Sequence, residues 1–282
     1  MNNRVTLMNA FEVKEFIKNL DGLPTIPALM GKILSTCKNE DSSFEDLARL
    51  IDHDQALAER VIWAANSAVF GQSGRVRDIR QAIMFLGFNR VKSIAMGMNA
   101  MAVLPPKSSF NLKNLWIHSY EVALIASAVS DSVIMTTPRE CFLAGLLHDI
   151  GRIIFYKIDP NQFGEIVTTE VMLVKEMSLF GCTHAEAGAW FAEEAGLPQE
   201  IIMTIRYHHN PSQTKEFRDS VSIVSLAEAL SRMVSPRIED DGLWTREHDA
   251  IILELGLDNG QLAAVGKTLY GSKLEIERFF NS

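Results

Sequence analysis

Apolar residues recur along this chain three or four positions apart, whereas alternating patterns bounded by turn signals are hard to find. The spacing predicts an all-α fold. Toward the N-terminus it predicts short helices over "NAFEVKEFIKNL", "ALMGKILSTCK", "SFEDLARLID", "HDQALAERVIWAANSAVF", "DIRQAIMFLG" and "NRVKSIAMGMNAM", with breaks at "DGLPTIP" and "GQSG". Gly87 is expected to stop one helix and Asn89 to cap the next.

Two prolines and a polar cluster in "LPPKSSFN" (Leu104 to Asn111) separate strongly helical stretches, which makes this segment the expected linker. Three consecutive regions follow: an N-terminal helical subdomain over 1–107, a second helical subdomain over 108–235, and a C-terminal extension over 236–282 packed on the second subdomain. Within 108–235, helix starts are marked by a capping box at Thr137, with Pro138 and Glu140, and by another at Thr183 with Glu186. Gly196 should stop the helix that Thr183 opens, and Pro198 should start the next. The tail reads as three helices, "REHDAIILELGL", "NGQLAAVGKTLYG" and "KLEIERFF".

One apolar stretch, "FLAGLLHDIGRIIFY" (Phe142 to Tyr156), carries His148 and Asp149 in its middle. A helix apolar on every side is a buried one, and a buried carboxylate needs a cation, a metal or several donors beside it. A buried histidine likewise needs a partner. Four other histidines lie in the second subdomain: His118, His184 at the first position of its helix, and the adjacent His208 and His209 near a helix end. Imidazole and carboxylate are ligands of first-row transition metals, so this set could support one ion or a bridged pair of iron, manganese, zinc or nickel. Neighbouring residues on a helix point about 100° apart, so a His-Asp or His-His pair can straddle two ions, with Asp149 as the natural bridge. Taken singly, a histidine in an apolar helix is more often a core residue bonded to a backbone carbonyl. His53 and His248 have polar neighbours and read as surface residues. Cys182 reads as a buried inert thiol rather than a ligand.

Composition narrows the function classes. The chain has 282 residues, 47% hydrophobic and 22% charged, enough to build a core without disulfides. A formal net charge of -8 argues against nucleic acid as a partner. The densest basic run, Gly74 to Lys92, is expected to be a solvated helix face. Three scattered cysteines suit a reducing compartment, and neither a signal peptide nor a membrane-length apolar run is present, so a soluble cytoplasmic protein is expected.

Taken together these residues carry a family resemblance. "HDIG" after an apolar run, a histidine about thirty residues before it, another about thirty-five after, and then "HH" resemble the HD superfamily of metal-dependent phosphohydrolases in the HD-GYP arrangement. "LPTIP", "IDHDQALAERVIWAANSAVFG" and "IRQAIMFLGFNRVKSIAMGM", in that order, resemble the narrower HDOD domain, a bacterial signalling output module. The resemblance runs from about Phe11 to Ser235. It implies an HD-domain-like helical bundle beside an N-terminal helical subdomain, a bacterial origin, a regulatory role and an unidentified signalling protein as partner. Carried over residue by residue, it places His118, His148, Asp149, His184, His208 and His209 at metal positions. Asp149 and Arg152 become the candidate catalytic pair, with Arg152 a contact for a phosphate or nucleotide ligand.

Three departures weigh against turnover. Ser225 stands where the last aspartate of the HD pattern should fall, Arg152 replaces the lysine of "HDIGK", and no "GYP" follows "HHN". Glu228, one helical turn beyond Ser225, is a stand-in on the same face. The expected function is therefore a regulatory module that retains an HD-type metal site. The alternatives are a metal-dependent phosphohydrolase or phosphodiesterase, and a module that binds a nucleotide without cleaving it.

Overall fold

The computed structural model describes residues 7–20, 32–33, 44–67, 70, 75–101, 112–133, 141–166, 172–234 and 244–280. Among these, every regular element is helical, as the hydrophobic spacing predicts. The segments "LPTIP", "GQSG" and "LPPKSSFN", and the expected Thr137 capping box, lie outside the described residues or on their edges.

The chain forms two compact units. One comprises residues 21–105 and 267–282, and the other residues 1–20 and 106–266. This grouping differs from three consecutive regions in two places, because the first helix and the last segment each belong to the unit away from their neighbours in sequence. Helix α1 (Ala10–Lys18) shows why. The Met8 N–H donates to the carbonyl of Leu179, and Lys14 lies 4.6 Å over the Trp190 ring, so α1 is covered by residues far along the chain.

In the unit that holds residues 21–105, the described residues include α2 (Phe44–Asp52), α3 (Gln55–Ala65), α4 (Ile79–Leu86) and α5 (Phe88–Met101). Leu47 and Ile51 of α2, Val61 and Ala64 of α3, Ile79 and Ala82 of α4, and Val91 and Ile94 of α5 recur at helical spacing, and all are fully buried. Asn66 ties the α3–α4 connection, donating from Nδ2 to the Val76 carbonyl at 2.7 Å and accepting the Val76 N–H at 3.0 Å. Asp78 caps α4 through the Gln81 N–H. Gly87 ends α4 with φ 85, as expected, but α5 begins at Phe88, so Asn89 lies inside the helix rather than capping it. Arg80, in the basic run, is half exposed and pairs with Glu45 at 2.6 Å and Asp52 at 3.2 Å.

The other unit is built around α6 (Leu112–Ser132), which is buried on nearly every face, with the polar His118, Ser119, Glu121 and Ser127 buried beside its apolar residues. Against it pack α7 (Cys141–Leu147) and α13 (Arg218–Val234). Helices α8 (Ile150–Ile158), α11 (His184–Glu194) and α12 (Gln199–Tyr207) complete the wall around the histidines. Helices α9 (Pro160–Ile166) and α10 (Met172–Phe180) connect α8 to α11, and Phe155 stacks on Phe180 at 4.2 Å between ring centres. Thr183 and Glu186 make the expected capping box, and α11 gives way at Ala195 and Gly196. Helix α14 (Arg246–Glu254) packs on α13. The final stretch is one continuous helix, α15 (Asn259–Phe279), where two were expected, because Gly271 lies inside it without a break.

Candidate metal centre

His148 and Asp149 do not sit within a continuous helix. They form a turn between α7 and α8, and the corner lets both side chains face the same interior space. His148 holds the corner from the α7 side, its Nδ1 lying 2.7 Å from the Gly145 carbonyl. Gly151 holds it from the α8 side: a Cβ there would lie 2.7 Å from the carbonyl carbon of His184 and 2.9 Å from the Gly188 nitrogen. Only glycine allows α8 to approach the start of α11 this closely, and that approach brings Asp149 to His184.

All six sequence-predicted ligands converge here, from α6 (His118), the α7–α8 turn (His148, Asp149), the first residue of α11 (His184) and the end of α12 (His208, His209). His148, His184 and His208 are fully buried, and His118 and Asp149 are 1% exposed. Ring centres lie 5.4 Å apart for His118 and His148, 5.1 Å for His148 and His208, 5.0 Å for His184 and His209, and 4.0 Å for His208 and His209. Potential ligand atoms gather in three groups, each within 4.8 Å: His118 with His148 and Asp149; His184 with His208 and His209; His148 with His208 and Glu228.

Hydrogen bonding decides which nitrogens are offered. A carbonyl can only accept, so the Nδ1 of His148 and of His208, each 2.7 Å from a backbone carbonyl, carries the proton in the neutral ring. That leaves Nε2 with its lone pair. The Nε2 atoms of His118, His148 and His208 are buried and have no hydrogen-bond partner among the described residues. Burial pushes His118 and His208 well below the usual histidine range, so both rings stay neutral and ready to ligate. The residues present therefore fit a transition-metal ion, which would satisfy lone pairs that nothing else does.

The carboxylates are placed with equal care. Asp149 points Oδ1 at His184 Nε2 (3.1 Å) and Oδ2 at Arg152 Nη1 (3.1 Å), His148 Nε2 (3.4 Å) and His118 Nε2 (3.9 Å). Burial alone would push its carboxyl up, yet the Arg152 guanidinium, helped by His148 and His184, holds it well below the usual carboxylate range. Arg152 is fully buried and directed at Asp149, so it stands as a charge partner of that carboxylate rather than on an open surface.

Sequence reading missed Glu176 of α10. Both of its oxygens lie within 2.9 Å of His184 Nδ1, and it also accepts the His184 backbone N–H at 2.8 Å. Against the cost of burial, Glu176 raises the His184 imidazole to about 10, so without a metal this ring is a cation directed at Asp149. The signal was there: Glu176 shares its helix face with Met172, Leu179 and Phe180, a glutamate at a core position.

One further expectation changes. His248 is not a surface residue: it is 6% exposed, accepts the Thr245 N–H at Nδ1 and places Nε2 3.4 Å from the Ser225 hydroxyl. Burial moves it below the usual histidine range. Ser225 thus engages α14, and the carboxylate that α13 brings to the cluster is Glu228, 3.8 Å from His209 Nδ1 and paired with Arg232 at 3.2 Å. Cys182 is buried, and burial together with Glu186 and Glu176 pushes its thiol up to about 12, in keeping with an inert core thiol.

A helical bundle with a His-Asp pair at a helix corner, ringed by four more histidines, defines an HD-type module. The HDOD domain model matches residues 23–211, and the chain belongs to the HDOD family. An uncharacterized protein of Treponema pallidum (strain Nichols) is 28% identical over 227 residues, 76% of this chain and 43% of its own length. The chain thus spans less than half of that relative. An HDOD domain protein of unknown function from Geobacter sulfurreducens superposes with a TM-score of 0.73 at 25% identity, over 96% of each chain. A protein from Shewanella amazonensis SB2B with a provisional phosphohydrolase assignment shares the fold at a TM-score of 0.70 and 22% identity, over 92% of this chain and 93% of that one. No described helix is long and apolar enough to cross a membrane.

Proposed function

We propose that this chain is a regulatory module of the HDOD type whose His-Asp centre holds a divalent transition metal as a structural element, with signalling output through a protein partner. The observation that carries the reading is the burial of the centre. His148, His184 and His208 have no exposed surface, and both acidic ligand candidates already have an arginine beside them. A phosphate ester would have to enter this closed space and compete with those ion pairs. His118, His148, Asp149, His184, His208 and His209 are the candidate ligands that line the centre. Such an ion supplies Lewis acidity and lowers the pKa of bound water, and here its first effect is to fasten the α7–α8 corner, α11 and α12 together.

The test combines metal analysis of purified protein, thermal unfolding with and without chelator, and a panel of phosphatase and phosphodiesterase substrates in manganese and iron. Ligand at a thousand times its Kd stabilises by about 4 kcal/mol, so chelation should lower Tm by about 8 °C or more. Turnover should be absent from the panel. Turnover that disappears in Asp149→Ala while helicity persists would overturn the reading. Glu228, within reach of His148 and His208, favours a second reading, a metal-dependent phosphohydrolase acting on a phosphate ester or nucleotide. That reading requires Glu228→Gln to abolish the turnover.

A further inference from the structure

We infer that the centre holds a single divalent ion, at His184, His208, His209 and the Oδ1 side of Asp149, while the Arg152 guanidinium takes the place of a second. The inference rests on the metal reading above and concerns how many ions this chain's own charges can hold.

The constellation offers positions for two ions. His118 and His148 with Asp149 form one corner, and His184 with His208 and His209 form the other. Asp149 faces both, but its two oxygens are engaged differently. Oδ1 is directed at His184 Nε2, 3.1 Å away, and His184 Nε2 is in turn 3.0 Å from His209 Nε2. That nitrogen separation suits two ligands on one first-row ion, whose bonds to histidine nitrogen are about 2.0–2.1 Å. Oδ2, the oxygen nearest His118 and His148, has Arg152 Nη1 at 3.1 Å. A dication in that corner would share Asp149 Oδ2 with a permanent, fully buried cation, and Glu228, the other carboxylate within reach of His148, is itself paired with Arg232. The guanidinium already delivers positive charge to that oxygen.

The charge balance of the buried interior agrees. In this unit the buried acidic side chains among the described residues are Glu121, Asp149, Glu176 and Glu228, and the buried basic ones are Arg152 and Arg232. Four carboxylates against two guanidiniums leave an excess of two negative charges, which one divalent ion neutralises. A second ion would reverse the imbalance and leave two positive charges without counterpart away from water, where an uncompensated charge is strongly disfavoured. The two arginines sit 3.1 and 3.2 Å from the two carboxylates that join the histidine groups, Asp149 and Glu228.

The experiment is a metal count on the wild-type chain reconstituted anaerobically with excess manganese(II), then desalted and read by elemental analysis and native mass spectrometry. Electron paramagnetic resonance separates an isolated ion from an exchange-coupled pair. One equivalent with an isolated-ion spectrum is expected. In the Arg152→Gln/Arg232→Gln double variant the count should rise to two, with a coupled spectrum. Two equivalents in wild type overturn the inference, and so does a single equivalent in a double variant of wild-type helicity. Should the double variant fail to fold, the wild-type count decides alone. No bound metal at all would overturn the metal reading itself, a different result from two equivalents.

Discussion

Glu176 shows how one buried side chain can set the chemistry of another. It receives the His184 Nδ1–H and backbone N–H together, which fixes the ring's tautomer and rotation and leaves Nε2 directed at the centre. Carboxylates placed behind ligating histidines in this way are worth about 10- to 100-fold in metal affinity. Glu176→Gln keeps the shape but gives up the charge. Calorimetric titration with zinc should show affinity weakened by about that factor, with unchanged far-UV dichroism, whereas the exposed Glu193→Gln should leave affinity where it was. The candidate ligands stood out in the sequence because histidine and aspartate are rare in apolar helices. Glu176 was legible in principle, as the one charge on the apolar face of α10. His248 was misread because sequence neighbours report the solvent side of a helix start, and Thr245, Glu247 and Asp249 are polar while His248 points inward as a member of the cap. A single sequence does not reveal which face of so polar a turn meets α13.

At the scale of elements, the corner between α7 and α8 is the decisive device, and hydrophobic periodicity does not mark it. An apolar run from Phe142 to Tyr156 has the composition of one long helix, and the turn at His148 and Asp149 is imposed by tertiary contact. Gly151 is the residue that permits it, because α8 lies directly against the backbone of His184 and Gly188. Gly151→Ala forces α8 and α11 apart. A buried overpacking against main chain costs about 3 kcal/mol or more, so urea unfolding should show a large loss of stability. Metal binding should fall with it, since Asp149 Oδ1 and His184 Nε2 would no longer meet at 3.1 Å. The matched control is Gly164→Ala on α9, where an added Cβ meets nothing within 4 Å and helix propensity improves. By contrast the α11 start was readable from Thr183 and Glu186 alone, because a capping box is a local device that needs no tertiary partner.

At the scale of the whole molecule, the buried histidines make the metal-free protein a pH-sensitive fold, and the sign follows from the direction of each shift. His118 and His208 lie well below their ordinary value of 6.5, so the unfolded chain binds protons there that the folded one does not, and stability falls as pH drops below about 6.5. Each such group contributes a slope of up to about 1.4 kcal/mol per pH unit. His184 is shifted the opposite way, to about 10 by Glu176. Its contribution is complete below 6.5 and is lost as pH rises from there to about 10, because the folded state holds a proton the unfolded chain has released. Both windows meet near the unfolded histidine value. Chelator-treated protein should therefore be most stable near pH 6.5, with the acid side steeper because two buried rings act there against one on the alkaline side. Urea midpoints measured from about pH 5 to 9 check this. Bound metal replaces the His184 proton and keeps the other rings neutral, so the metal-loaded protein should lose the alkaline decline while its acid side steepens. A chelated protein whose midpoint stays flat between about pH 6.5 and 9 would show that His184 carries no extra proton in the folded state.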